Sequence, residues 1–228
     1  MSFEQTEAIV LRKVDFSETS RIVTFLTPYR GRMACMVKGA RRKGSPLAAL
    51  LDTYNHLEVT YAHKENRNIQ ILTEAVLLNG FGAIKASVEH IACAAFLLEM
   101  AGTAAQENAP APELFQALRN CLERLNLKNE NPFTTLVQNI LLVLEAAGVA
   151  PDFNDKQLMD YIPRIPKSRQ TDIQDSLIVL AAGQSPGQSC DIPLIMQFLN
   201  AYSEHHFERS IKSYPFLRSL LESAPIDI

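Results

Sequence analysis

The sequence predicts an α+β protein with two domains, a small N-terminal β-barrel followed by a mostly α-helical domain. The first third of the chain consists of short β-favouring runs separated by turn residues. After residue 81, apolar residues recur instead at the three- and four-residue spacing of helices. The 228 residues are 47% hydrophobic and 21% charged, which suits folded domains and excludes a mainly disordered chain. We expect the barrel to span residues 1–80 and the helical domain residues 81–228.

Three strands are predicted in the first 38 residues. Residues 7–14 and 21–26 are nearly continuous β-favouring runs. A turn at residues 27–31, which contains a proline and a glycine, ends the second run. Residues 32–38 then return as a third strand, so the second and third strands should form a hairpin across that turn.

Two more strands follow a basic loop that contains glycine and proline. Leu57, Val59 and Tyr61 alternate with polar residues, which is the period-2 pattern of a half-buried strand. A polar tip at residues 64–68 leads into a fifth strand at residues 69–72. Five short strands within about 75 residues fit a small closed barrel better than an open sheet with exposed edges.

Three apolar stripes predict helices, and they indicate surfaces that face a core first and partner-binding grooves only second. Prolines precede the second and third stripes, and Gly148 and Pro151 follow the third, as is typical of helix ends. Residues 152–169 are predicted to be irregular. The stripes are Val88, Ile91, Ala95 and Leu98; Leu114, Leu118, Leu122 and Leu125; and Leu136, Ile140, Val143 and Ala147, and further helices are predicted at residues 172–182, 193–207 and 215–222.

The net charge of −3 conceals an uneven distribution. Residues 1–85 contain 12 basic and 8 acidic side chains, whereas residues 86–228 contain 10 basic and 17 acidic ones. The barrel region is therefore net +4 and the helical region net −7. Because binding follows local potential, the acidic total does not argue against a nucleic-acid partner for the barrel.

No enzyme motif is complete. The spacing from Gly39 to Gly44 is that of a phosphate-binding loop, but Ser45 and Pro46 follow where lysine and serine or threonine are required. His205 and His206 are adjacent and therefore lack the one-turn spacing that places two metal ligands on one helix face. We expect a protein that is not an enzyme and that has no cofactor.

The four cysteines are scattered and form no paired motif. Neither a zinc ribbon nor a compact disulfide framework is indicated, so buried free thiols are predicted. The cysteines are Cys35, Cys93, Cys121 and Cys190.

The most informative feature is residues 30–43, which hold six basic side chains and no acid. Such a segment predicts phosphate contacts whose strength depends on salt and not on base sequence. A solvated loop made basic for solubility is the alternative. Four aromatic residues are available for base stacking, and Tyr29, at a turn among arginines, is the favoured one, whereas Phe25 lies in an apolar run typical of core. The other two are Phe16 and Tyr54.

The N-terminal residues resemble the RecO family over about 75 positions. The matching stretches are EAIVLR at residues 7–12, DFSETSRIV at 15–23, GR at 31–32, KGARR at 38–42 and EA at 74–75. Two weaker similarities are LEAAGVAP at residues 144–151 and IKS at 211–213, followed by Phe216 and Leu217.

The resemblance implies an OB-fold barrel followed by a helical domain. It implies binding of single- and double-stranded DNA, annealing of complementary strands and help in loading recombinase onto DNA coated by single-strand-binding protein. The implied partners are the acidic C-terminal tail of that protein and the ring-forming mediator RecR. Many relatives also carry a four-cysteine zinc site after the central helix, but residues 154–190 contain one cysteine here, so no zinc-finger insertion is predicted.

Two sets of site residues follow. The tail is expected to bind an apolar groove beside a cation on the helical domain, with the stripe of Leu118, Leu122 and Leu125 as a groove wall; ordinary solvated charges are the alternative. The predicted DNA-binding residues are Arg12, Arg21, Tyr29, Arg30, Arg32, Lys38, Arg41, Arg42 and Lys43. The predicted tail-binding residues are Arg119, Arg124 and Lys128, with Arg209 or Lys212 as the alternative cations.

The sequence shows neither a secretory signal nor an apolar run long enough to span a membrane, so we expect a cytoplasmic, nucleoid-associated protein. An OB-containing RNA- or ribosome-binding factor is the alternative function.

Metal independence is the prediction that the cysteine pattern generates. Because no paired cysteines are available, residues 152–169 should be held by the packing of Phe153, Tyr161 and Ile162. A chelator should therefore leave the melting temperature unchanged. Stoichiometric zinc in the purified protein, or unfolding on addition of chelator, would contradict it.

Overall fold

Five strands close into a barrel in the order β1-β2-β3-β5-β4. The computed structural model describes residues 2–127, 131–155, 158–161, 165–184 and 190–223. All neighbouring strands are antiparallel except β3 and β5, which are parallel. This is the five-stranded Greek-key barrel of an OB fold, and the predicted fold class is confirmed. The strands are β1 Ser2–Asp15, β2 Arg21–Thr27, β3 Gly31–Val37, β4 His56–His63 and β5 Ile69–Asn79.

The first and last strands are longer than predicted. β1 serves two partners, because residues 2–9 pair with β4 and residues 9–15 pair with β2, with an irregularity in register between Val10 and Arg12. Such a shift bends a strand, which lets one strand join two parts of a barrel. β5 continues to Asn79 along β4. Its last part lacks the period-2 alternation that would have predicted a strand, and a short helix, α1 Pro46–Leu50, was also not predicted.

Alternating residues of the strands fill the barrel. Met33, Cys35 and Val37 of β3 point inward and are at most 2% exposed. Phe25 is completely buried with them, as predicted for a core residue. Burial raises the pKa of the Cys35 thiol to about 12, so it stays protonated and unreactive. The prediction of buried free thiols is confirmed for Cys35, Cys93 and Cys121, whereas Cys190 is only half-buried.

The described contacts group the chain into two compact units. One contains Met1–Gly82 and Ala104–Leu122, and the other contains Ala83–Thr103 and Glu123–Ile228. The barrel unit thus includes a segment from beyond residue 81, and the predicted domain boundary at residue 80 stays a prediction.

Residues 106–111 form a covering segment on the turn between β2 and β3. The Arg32 amide donates to Gln106 O at 3.0 Å, and the Ala111 amide donates to Pro28 O at 2.9 Å. Gly31 lies between the turn and this segment with φ of 52°, and a β-carbon there would come within 2.5 Å of two carbonyl oxygens. Only glycine fits this position without displacing the backbone.

Six longer helices lie within the described ranges, and the second and third apolar stripes are buried as predicted, except for the half-buried Ala147. Of the first stripe only Leu98 is buried, whereas Ile91 and Ala95 are half-buried and Val88 is exposed. Asn131 caps α4 by accepting hydrogen bonds from two amides of its first turn. In the helical unit, α4 contacts α5 and α6, and α6 contacts α7. Within the ranges described above, none of the helices combines the length and apolarity needed to cross a membrane. The helices are α2 Val88–Ala104, α3 Pro112–Asn126, α4 Pro132–Ala146, α5 Lys167–Ala181, α6 Ile192–Phe207 and α7 Tyr214–Ser223.

Glu4 joins three parts of the barrel. Its carboxylate accepts hydrogen bonds from Arg30 Nη2 at 2.8 and 3.0 Å and from the Tyr61 hydroxyl at 2.7 Å. Partial burial acts to raise the pKa of Glu4, but the hydrogen bonds from Tyr61 and Arg30 outweigh it and lower the pKa. β1, the β2–β3 turn and β4 are therefore fastened at one carboxylate.

The replacement Glu4→Gln should lower the free energy of unfolding by about 1 kcal/mol at pH 7, because it removes charge-assisted hydrogen bonds. The loss should shrink as the pH falls through the lowered pKa of Glu4, since the protonated wild-type carboxyl loses the same interaction. Urea unfolding at neutral and acidic pH measures both effects. Glu65→Gln, at an exposed turn position, is the control, and equal losses for the two variants would contradict the prediction.

Candidate nucleic-acid interface

The basic segment at residues 30–43 is divided by the strand that runs through it. β3 occupies residues 31–37, so Arg30 lies at one end of the hairpin and residues 38–43 lie at the other. A seven-residue strand spans roughly 20 Å. The six cations of this one segment therefore form two separate groups.

The arginines at the turn end of the hairpin are neutralised by acids. Arg30 pairs with Glu4 at 2.8 Å, and Arg32 pairs with Glu107 of the covering segment at 3.0 Å. Tyr29 is 73% exposed beside them. A phosphate could use these arginines only by displacing carboxylates that hold the fold.

At the opposite end, two arginines share one carboxylate. Arg21 Nε lies 2.8 Å from one oxygen of Asp15, and Arg41 Nε lies 3.2 Å from the other. The hydrogen bond from Arg21, together with the nearby charge of Arg41, lowers the pKa of Asp15 and keeps it ionised. These two arginines have a structural role in the described chain.

Four of the predicted DNA-binding cations remain. Arg12, Lys38, Arg42 and Lys43 are exposed, and their side chains make neither a hydrogen bond nor an ion pair with any residue that the structure describes. Two successive turns shape the loop that carries the last three, with Gly39 and Gly44 at positive φ. We call Lys38, Arg42 and Lys43 the free loop cations.

The outer surface of the barrel beside these cations is largely apolar. Residues directly opposite in paired strands share a face, and the inward neighbours Val23 and Cys35 are completely buried. The outward positions are at least partly exposed and form two rows across β1, β2, β3 and β5. We call these rows the outer face; they are Val14, Ile22, Met36 and Ile71, and Arg12, Thr24, Ala34 and Ile69.

The outer face was not predicted from the sequence. The signal in the sequence is that the residues of β2 and β3 that alternate with the buried ones include few polar side chains. This signal can be seen only once the buried residues have been assigned. OB folds bind oligonucleotides on this part of the barrel and on adjoining loops. Apolar side chains can contact the flat faces of bases while cations at the border contact phosphates.

Of the four aromatic candidates, Phe25 is core, and Tyr54 is half-buried with φ of 77°. Tyr29 and Phe16 are exposed, at opposite ends of the hairpin region. Phe16 belongs to the loop between β1 and β2, at residues 16–20.

Two family descriptions match the chain in succession. Residues 1–81 match the N-terminal part of recombination protein O, and residues 86–159 match its C-terminal part. The chain belongs to the RecO family.

Individual members of the RecO family are similar over different lengths. A DNA repair protein RecO from Salinibacter ruber is 31% identical over 150 residues, covering 66% of this chain and 58% of the relative. One from Myxococcus xanthus is 26% identical over 235 residues, covering 92% and 95%. One from Rhodopirellula baltica is 39% identical over 108 residues, covering 47% and 40%. Two of these three alignments thus span well under two thirds of the relative.

The cysteine-poor region after α4 does not fit the zinc site of many RecO proteins. In the described ranges, no cluster of three or more histidine, cysteine and carboxylate side chains is arranged to hold a metal ion. The metal independence of this RecO-family chain stays a prediction.

The tail-binding role of Arg119, Arg124 and Lys128 stays a prediction. Arg119 lies 3.6 Å from Glu7 of β1, Arg124 donates to Gln138 and Asn139 of α4, and Lys128 lies outside the described residues. The prediction that the leucine stripe of α3 forms a groove wall is wrong, because its members are at most 2% exposed. They are Leu118, Leu122 and Leu125. A helical stripe shows which residues share a side and not what covers that side.

Arg124 instead borders a cleft in the helical unit. The cleft has a volume of about 280 Å³ and lies among α4, α5 and residues 150–153. Among the described residues, Arg124 is the cation and Glu145 the acid that line it, and its apolar lining includes Leu141, Leu142, Pro151, Phe153 and Leu180.

Proposed function

We propose that this chain is a non-enzymatic DNA repair protein that binds single- and double-stranded DNA through the barrel, anneals complementary strands and helps load recombinase onto DNA coated by single-strand-binding protein. The observation that carries the proposal is a set of four exposed cations, at the border of the apolar outer face, that have no acidic partner among the described residues. Membership of the RecO family supports it, and so do the names of the relatives.

Phosphate contacts explain the breadth of the expected substrates. Each neutralised phosphate contributes about 0.7 to 0.9 to the slope of log K against log salt, whatever the base sequence. The free loop cations and Arg12 can supply up to four such contacts. Neutralising two strands at one site also lowers the repulsion that opposes their pairing, which suits annealing.

Charge reversal of the free loop cations tests this proposal. The triple variant Lys38→Glu, Arg42→Glu, Lys43→Glu should bind DNA at least about tenfold more weakly and lose roughly two units of salt slope. Arg41 is left intact because it holds the loop through Asp15. Titration of labelled single-stranded and duplex DNA at several salt concentrations gives both quantities.

The matched control is Lys167→Glu, Arg209→Glu, Lys212→Glu, which changes the net charge equally at three exposed positions of the helical unit. It should retain most of the affinity. Equal losses in both triple variants would show that only net charge matters and would contradict the assignment. Tighter binding of hairpin RNA than of DNA by the wild type would favour the RNA-binding alternative.

We also propose that the acidic tail of single-strand-binding protein docks in the cleft bordered by Arg124. Such a tail ends in apolar residues and a carboxylate, so it needs an apolar pocket with a cation. Arg124 is held by Gln138 and Asn139, which orients its guanidinium at the cleft. Leu142 is 40% exposed there and offers apolar contact. RecR as a partner, and a cytoplasmic location at the nucleoid, are proposed from the family resemblance alone.

The cleft has an acid whose removal should strengthen tail binding. Glu145→Gln should raise the affinity for a tail peptide about two- to threefold, because it removes repulsion of an acidic ligand at an exposed site. Leu142→Ser should lower the affinity several-fold by removing apolar contact. Fluorescence anisotropy of a labelled peptide measures both.

Misfolding of a variant can lower the affinity for the peptide but does not raise it. Measuring Glu145→Gln together with Leu142→Ser therefore distinguishes a change in the cleft from a loss of fold. Asp175→Asn, at an exposed position of α5 away from the cleft lining, is the control. Wild-type affinity in both cleft variants would remove this site and leave the DNA-binding proposal intact.

A further inference from the structure

The loop at residues 16–20 closes on itself through its backbone. The amides of Phe16 and Ser17 both donate to Ser20 O, at 3.1 and 3.3 Å. The Ser20 amide donates to the Ser17 hydroxyl at 3.2 Å. The backbone that carries the Phe16 ring is therefore fixed by hydrogen bonds at both ends of a short loop.

Arg41 ties this loop to the basic loop. Its backbone amide donates to Thr19 O at 3.1 Å, its Nη1 donates to Ser17 O at 2.6 Å, and its Nε pairs with Asp15. Two of these partners, Asp15 and Ser17, are the immediate neighbours of Phe16. Arg41 therefore joins the loop that carries Phe16 to the loop that carries the free loop cations.

The Phe16 ring is left exposed in this arrangement. It is 57% exposed, and Val14, two residues earlier, belongs to the outer face and is 42% exposed. A single exposed ring is ordinary on a protein surface. Here, however, the ring stands on a hydrogen-bonded loop at the border of the outer face, and Arg41 ties that loop to the one that carries the free loop cations.

Tyr29, the residue favoured from the sequence, lacks this combination. It is more exposed, at 73%, but it lies at the other end of the hairpin, roughly 20 Å away by strand length. Its neighbouring arginines are neutralised by Glu4 and Glu107.

We propose that Phe16 stacks on a nucleobase and makes the barrel favour single-stranded over duplex DNA, and that Arg41 is the positioning residue that holds the ring in place. This inference rests on the proposed DNA-binding function. In a duplex the base faces are stacked on one another and cannot reach the ring, whereas an unpaired base can. Stacking on one aromatic side chain corresponds to roughly 5- to 150-fold in affinity.

The test separates bases from phosphates. Binding of a short oligothymidine, an abasic strand of the same length and a duplex is measured for wild type and for Phe16→Ala. The variant should lose roughly 5- to 150-fold in affinity for oligothymidine and little for the abasic strand or the duplex, with its salt slope unchanged. Phe16→Tyr should retain binding, and Tyr29→Ala should resemble the wild type.

The positioning role of Arg41 has its own readout, which is the ratio of abasic to oligothymidine dissociation constants. Arg41→Gln should lower this ratio, and should lower it no further when Phe16→Ala is already present, because both act through the same ring. Loss of one phosphate contact alone would weaken both strands equally and leave the ratio unchanged, which would overturn this role.

The remaining outcomes are also decisive. If Phe16→Ala binds all three ligands like the wild type, or weakens all three equally, the stacking assignment is wrong while DNA binding stands. If the wild type binds none of the three, the proposed function itself fails.

Discussion

Closure of the five-stranded barrel determines where every candidate DNA contact lies. β3 pairs with β2 along all seven of its residues and with β5 over residues 34–36, so its register cannot slip without turning core residues outward. Because β3 runs through the middle of the basic segment, closure places Arg30 and Lys38 at opposite ends of a hairpin. The same register sets the outward residues Ile22 and Met36 side by side. The cations of the single basic segment at residues 30–43 are therefore divided between two ends of the hairpin that differ in their chemistry.

Carboxylates decide what each of these places can do. Glu4, Asp15 and Glu107 each face one or two arginines, and those arginines fasten loops and strands. An ion pair that is partly exposed is worth little stability, but it still removes a cation from the set available to phosphate. The net charge of +4 for residues 1–85 counts all of these cations, but it does not show which of them are available to bind phosphate. A cation can bind phosphate when no carboxylate pairs with it. Among the described residues, such cations are concentrated in the loop that contains Gly39 and Gly44, both at positive φ.

Local patterns in the sequence were enough to predict the fold class, because alternation and helical stripes report directly which side of an element is buried. The inward residues Leu57, Val59 and Tyr61 of β4 and the stripes of α3 and α4 were predicted in this way. Pairings between distant residues left no local signal: Arg30 reaches a glutamate 26 positions earlier, and Arg32 reaches one 75 positions later. The end of β5 was not predicted, because its four consecutive apolar residues show no alternation with polar ones. The α3 stripe was assigned a second role as a groove wall that its complete burial excludes.

The two ligands proposed for this chain, DNA and an acidic protein tail, are both polyanions, so the two proposed sites must distinguish them by something other than charge. The free loop cations offer charge with an apolar face and an exposed ring nearby, an arrangement that suits regularly spaced phosphates joined to flat bases. The cleft beside Arg124 offers one oriented guanidinium over an aliphatic lining, with Glu145 at its border. A ligand with many charges and no apolar end gains little from that cleft, and its acid adds repulsion. Apolar complementarity, more than charge, therefore separates the two proposed sites, and salt should weaken the first far more than the second.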